Sequence, residues 1–254
     1  MKLLFFIALI MTAFAANSVL TRLAMASNSI GPSNFALLRA GSGALVIFFL
    51  VLIIQKKIPE FKFKTIISAL ILFAGSMLVM FSAALILKEK IPITRFVGVL
   101  LSLLGLYILT DPRFCGNNLF GIILMFLASF SWGIYSVLGH GQKNPLSSTA
   151  GNFILAFFLI IPISLFIPDK VETNSYGFIL AIISGSITSG IGYTLWYWVL
   201  PKIKITTASI AQLTVPLIAA FGGYLFISET LNWQFYISSI LILGGISLSF
   251  IYKK

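Results

Sequence analysis

The stretches FSAALILKEKIPITRFVGVLLSLLGLYILT (residues 81–110) and FGGYLFISETLNWQFYISSILILGGISLSF (221–250) decide the fold. At an offset of 140 they place Leu85 on Leu225, Glu89 on Glu229, Leu101 on Leu241, Leu103 on Leu243 and Gly105 on Gly245. This register runs without a gap from 68–110 onto 208–250. Each copy is the end of one apolar run, a glutamate, and a new apolar run with an internal glycine. A second register, at an offset of 118, covers the rest. It puts Ser18-Val19-Leu20 on Ser136-Val137-Leu138, Asn34-Phe35 on Asn152-Phe153, and Leu9, Ser29 and Leu37 on Leu127, Ser147 and Leu155. Self-similarity at a fixed spacing is the mark of a duplicated architecture.

The runs are near the ~20 residues that a helix needs to cross a hydrocarbon core of ~30 Å. None alternates with period two as a membrane barrel would, so the crossings are helical. Spans are expected at 3–25, 31–54, 67–87, 95–110, 119–139, 151–167, 177–200, 205–227 and 233–252. The offsets differ by 22 residues, so the first half lacks one helix that the second half has, with the gap between about 50 and 68. The fold class is an all-α integral membrane protein of two helical repeats, with nine transmembrane helices instead of ten. Residues 1–110 form a four-helix repeat lacking its third helix, and 119–254 a five-helix repeat. The N-terminal LLFFIALIMTAFA after Lys2 has the look of a signal peptide. The apolar run continues through NSVLTRLAM and has a repeat partner, which favours a retained first helix.

Composition agrees. Apolar residues make up 59% of the chain and charged residues 9%, against about a quarter in soluble domains. The net charge of +11 resides in short loops beside apolar runs, as positive-inside topology requires, and does not indicate nucleic acid. Cys115 is the sole cysteine and His140 the sole histidine, which leaves no internal disulfide and no cysteine or histidine metal cluster. No cofactor is implied. With a helix imagined in the gap, the loop charges divide 13 to 3; with nine spans they divide 9 to 7. An extended stretch crossing lipid is excluded by its unpaired backbone groups. The expectation is therefore that the first two helices insert inverted. Helix 67–87 then takes the place of a fourth helix, and the N-terminus and the 55–66 loop lie opposite the C-terminus.

The segments NSVLTRLA (17–24), LLRAGSGAL (37–45), LKEKIPITRFVGVLLSLLGLYIL (87–109), SWGIYSVLG (131–139), TAGNF (149–153), SGSITSGIGYTLWYWVLP (184–201) and AQLTVPLIAAFGGYLFISETL (211–231) resemble the EamA-domain branch of the drug/metabolite transporter superfamily. The resemblance covers the whole chain except the missing helix. It implies inverted repeats, cytoplasmic termini and a central solute cavity.

Several residues are candidates for contact with a solute. Arg39 lies seven residues past Pro32, about 10 Å into its helix. A charge at such depth is a candidate anion or carboxylate contact; the alternatives are snorkelling to the surface or capping the carbonyls of a neighbouring helix. Ser184, Gly185, Ser186, Ser189, Gly190 and Gly192 form a stripe that admits a close neighbour. They lead into Tyr193 and Trp196, read as an aromatic cavity wall for a planar or cationic solute. Tyr197 and Trp198, just before Pro201 and Lys202, read as an interfacial belt. Pro216 frees the carbonyl of Gln212 and suggests a broken helix at mid-depth. Trp132 and Tyr135 share a helix face, and Asn17 is the repeat partner of Tyr135. Asn34 and Asn152 are paired by the repeat, as weaker candidates. Glu89 and Glu229 read as caps or salt bridges at the membrane surface. No carboxylate lies near the middle of a span.

The resemblance implies a secondary transporter that moves a small organic metabolite, an amino acid or similar, across the bacterial cytoplasmic membrane. The expected mode is export by alternating access around a central cavity. Its expected partners are the solute and the lipid bilayer, as a monomer or homodimer without nucleic acid. The alternatives are a degenerate, transport-inactive relative and a membrane-embedded lipid-modifying enzyme. The latter commonly needs acidic metal clusters or an intramembrane Ser/His pair, and the sequence has neither.

Overall fold

In the computed structural model, residues 2–59, 93–110, 144–166, 169–203 and 205–250 are described. The elements are α1 (Lys2–Ala26), α2 (Pro32–Gln55), α3 (Ile93–Thr110), α4 (Pro145–Phe166), α5 (Ser175–Ile183), a π-helical segment (Ser184–Ile191), α6 (Gly192–Val199), α7 (Ile205–Gln212), α8 (Val215–Ile227) and α9 (Trp233–Phe250). Among the described residues there is no strand, and five helical runs are long and apolar enough to cross a membrane. The expected spans 67–87 and 119–139 lie outside the described residues. So does the count of nine, which rests on them.

Local chemistry sets the ends. Pro32 opens α2, where its missing N–H is not needed. The carboxylate of Asp169, from a distant loop, accepts the backbone N–H groups of Ser33 (3.0 Å) and Asn34 (2.7 Å). Asn174 caps α5 by accepting from Gly177 N. Helix α4 begins six residues earlier than expected. Asn144 Oδ1 accepts from Ser147 N, and Ser147 and Thr149 are buried. The polar stretch that reads as a loop is thus a helical turn satisfied by its neighbours.

Packing is inside-out relative to a soluble protein. Ser42, Ser102, Asn152, Ser184, Ser189 and Ser238 are buried, while Leu45, Phe49, Ile53, Leu104, Ile187 and Ile240 are exposed. In hydrocarbon the apolar exterior costs nothing, and polar groups gain by bonding inside. Helices α3 and α9 have ends that differ by 140 at both termini, and they pack antiparallel. Gly98 lies on the Gly245 carbonyl, Gly105 on Ser238, and Ser102 Oγ donates to Ile242 O at 3.2 Å. Under the 140 register the first two contacts exchange and the third maps onto itself, so the crossing is self-complementary about Ser102 and Ile242. Helices α2 and α4 also run antiparallel. Gly41 and Gly43 lie against Phe157 and Phe153, and Gln55 and Asn144 exchange two amide hydrogen bonds of 2.7 and 2.9 Å.

The helix ends sort into two faces. One carries the start of α1, where Phe6 meets Trp198 at 5.2 Å, together with Gln55, Asn144 and Lys202. The other carries Arg22, bonded to Glu229, and Ser29, whose carbonyl accepts from Asn174 N. Helix α9 starts beside Glu229, so it ends on the first face, and the antiparallel α3 starts there. This corrects the expectation of an inverted first pair: the N-terminus and residues 55–59 lie on the same face as the end of α9. Cross-chain contacts decide the orientation of α1 and α2 and override the span count. Residues 59 and 93 consequently also share that face. Among the described residues it bears Lys2, Lys56, Lys57 and Lys202, against Arg22 and Lys170 opposite, and the positive-inside rule makes it cytoplasmic.

Candidate functional site

The centre of the described bundle is built by α1, α2 and the π-helical segment. The 28-residue run Ser175–Lys202 has Ser189 fourteen residues from its start and thirteen from its end, at mid-depth. The sequence SGSITSG has too little side-chain bulk to stop close approach, and α2 exploits this. A Cβ on Gly185 would strike the Arg39 carbonyl and Ser42 Oγ, and one on Gly43 would meet the Gly185 carbonyl. The expected small-residue stripe is therefore the seam against α2. Its wide π turn was not anticipated; such turns recur at functional sites.

Asn17 is the hub. Its Oδ1 accepts from Ser184 Oγ at 2.8 Å, Thr188 Oγ1 at 2.5 Å and Ser189 Oγ at 3.3 Å, and all four residues are buried. An amide oxygen has two lone pairs, and Thr188 resolves the excess by also addressing the Ser184 carbonyl at 2.9 Å. Arg39 Nε donates to Ser189 Oγ at 3.2 Å, so the arginine head is drawn to mid-depth and does not snorkel to the surface.

An aromatic group continues inward from this network. Ser189, Tyr193 and Trp196 are spaced at i, i+4 and i+7 on one side of the helix. Tyr193 sits between Phe14 (centroids 5.1 Å) and Phe153 (5.2 Å), and Phe14 also meets Trp196 at 6.0 Å. Trp196 is wholly buried among Ile10, Met11, Ala208 and Ala211, and its indole N–H has no hydrogen-bond partner among the described residues. It therefore faces helices and not lipid, but packed side chains surround it. Tyr197 is also buried, at 3% exposure, which corrects its reading as a belt residue. Trp198, half exposed with the Lys202 ammonium over its ring, has the belt position.

Helix α7 stops at Gln212, and the chain restarts at Val215 with Pro216 in its first turn. Between them the N–H groups of Leu213 and Thr214 reach back three residues, to Ile210 and Ala211. The break is the one that the Gln212–Pro216 spacing implies, and both residues are half-buried. Asn152 is buried on α4, whereas Asn34 reaches Thr173 in the far loop at 3.4 Å, away from the centre. Trp132 and Tyr135 lie outside the described residues. The structure thus brings together Asn17, Arg39, Tyr193 and Trp196. Sequence reading assigned Ser184 and Ser189 to packing and did not single out Thr188. Their i, i+4 hydroxyls opposite an intramembrane asparagine were the available signal.

Glu229, expected at the surface, holds Arg22 through both carboxylate oxygens at 2.9 and 2.8 Å, while Arg22 Nη2 donates to Ala219 O. Its counterpart Glu89 lies outside the described residues.

Comparison with known proteins agrees with this architecture. The EamA-like transporter family matches residues 119–251, more than half of the chain. An uncharacterized Pseudomonas aeruginosa protein is 31% identical over 94% of this chain and 91% of its own length. That alignment has 262 positions against the 254 residues here, so the relative contributes residues that this chain lacks. An uncharacterized transporter of Archaeoglobus fulgidus is 28% identical over 59% of this chain, and the Bacillus subtilis uncharacterized transporter YoaV 25% identical over 60%. The matched part spans about half the length of these two, 55% of each. A solved crystal structure superposes with a TM-score of 0.74 over 96% of this chain and 97% of that one, at 16% identity, which shows a shared fold. The chain is a multi-pass membrane protein and belongs to the EamA-like transporter family.

Proposed function

We propose that the protein exports a small organic metabolite, an amino acid or a similar compound, across the cell membrane by alternating access. The two repeats, 1–110 and 119–254, rock about a central site formed by Asn17, Arg39, Tyr193 and Trp196, with the broken helix at Gln212 and Pro216 beside it. Trp132 and Tyr135 are assigned to the same site through the repeat. The observation that carries this reading is the polar hub at mid-depth between elements of both repeats, in which Asn17, Ser184, Thr188 and Ser189 are buried and Arg39 is half-buried. Such a cluster is costly in a purely structural bundle, and transporters place their sites at the repeat interface near the bilayer midplane. The self-complementary crossing of α3 and α9 supports a pseudo-two-fold arrangement. The relative's extra aligned positions support a helix missing from the first repeat.

The test is efflux from cells preloaded with a labelled amino-acid mixture, with Trp196→Ala and Asn17→Ala as comparators and protein levels matched. Faster loss with the native chain, reduced in both variants, is expected. Loss equal to that of cells without the protein would favour a transport-inactive relative.

A further inference from the structure

Arg39 is an intramembrane charge without a counter-ion among the described residues. An arginine stays protonated in proteins, so its charge must be balanced. The three described acids are elsewhere. Asp169 caps α2, Glu229 holds Arg22, and Glu172 is exposed in a loop. Arg39 makes one hydrogen bond, from Nε to Ser189, and its two Nη groups have no acceptor among the described residues. That bond fixes one edge of the guanidinium at mid-depth and leaves the terminal Nη groups available for a bidentate partner. Tyr193, one helical turn beyond Ser189, is half-buried and flanked by the Phe14 and Phe153 rings.

We propose that the central site binds an organic monocarboxylate, with the carboxylate on the Nη groups of Arg39 and a flat apolar body along Phe14, Tyr193 and Phe153. The inference rests on the transporter reading and narrows its substrate class. A carboxylate matches the guanidinium fork in shape and cancels its charge. A phosphate dianion would leave one uncancelled charge in the membrane, with no second described cation at the site. A cationic solute, which the aromatic wall alone would admit, meets Arg39 at the same place and is repelled. The decisive recognition is thus of the acid, and an amino group on the solute is tolerated without being held by any described acid.

Binding to the detergent-purified full chain tests this without requiring flux. Three probes of similar shape are compared by calorimetry: phenylacetate, phenylacetamide and phenethylamine. Phenylacetate is expected to bind about tenfold or more tightly than the amide, the usual advantage of a charge-assisted bidentate pair, and the amine weakest. Arg39→Gln should remove the preference for acid over amide, while Arg39→Lys keeps part of it. Thermal unfolding confirms that the variants are folded, and the wild-type probe series stands without them. Equal binding of acid and amide, a preference that survives Arg39→Gln, or no binding of any probe would overturn the proposal. Export of labelled amino acids could still be intact in each of those cases, which separates this failure from failure of the transporter reading.

Discussion

Removing the Asn17 amide should unsettle the core of the bundle by an amount that the hydrogen-bond geometry allows one to work out. In Asn17→Ala three hydroxyls lose their acceptor. Thr188 retains the Ser184 carbonyl at 2.9 Å, so its loss is small. Ser189 gives up a long bond of 3.3 Å but still accepts from Arg39. An interhelical bond of this kind in a membrane protein averages about 0.6 kcal/mol. Ser184 has no other acceptor among the described residues and is wholly buried, so its O–H is orphaned, at about 1–3 kcal/mol. The expected destabilisation is about 2–4 kcal/mol, dominated by one hydroxyl. The assay is reversible unfolding in mixed micelles at increasing SDS fraction, followed by tryptophan fluorescence. The double variant Asn17→Ala/Ser184→Ala should recover about 1 kcal/mol or more relative to the sum of the singles, because the orphan is removed with its partner. A loss below about 0.5 kcal/mol, or strict additivity of the pair, would refute the hub as a stabilising element.

Four further outcomes follow from specific contacts. Gly245→Ala should be strongly destabilising because its Cβ would meet the Gly98 carbonyl, whereas Gly244→Ala, with open space around it, should be neutral or up to about 1 kcal/mol stabilising; the same unfolding assay compares them. Asp169→Ala removes the acceptor for two N–H groups of α2 and should cost about 1 kcal/mol, with Asp169→Asn recovering part of it. Arg22→Ala and Glu229→Ala should each cost less than about 1 kcal/mol, since the pair is some 40% exposed, and the double variant should cost no more than either single. In a chain with Cys115→Ser, single cysteines at positions 2 and 58 should react with an impermeant maleimide only from the cytoplasmic side, and one at position 228 only from outside; labelling of position 2 from outside would contradict the orientation of α1.

How much of this was legible in the sequence varies from element to element. Long apolar runs must be helices in lipid because no other lone segment satisfies its backbone there. That constraint is local, so the spans at 3–25, 31–54, 205–227 and 233–252 could be read within a residue or two of α1, α2, α7–α8 and α9. Arg39, Asn17 and the Gln212–Pro216 break were also visible, since a charge, an amide or a proline inside such a run is conspicuous against its background. The placement of α1 and α2 was not visible. Sequence reading weighed span parity and loop lysines, whereas Arg22 on Glu229, Asp169 on the start of α2, and Gln55 on Asn144 join residues 207, 135–136 and 89 positions apart. Tyr197 and Ser184 show the same limit. In an apolar helix nothing local distinguishes the face that meets lipid from the face that meets another helix. Only the neighbours brought up by the fold decide which aromatic is buried and which hydroxyls share the oxygen of Asn17.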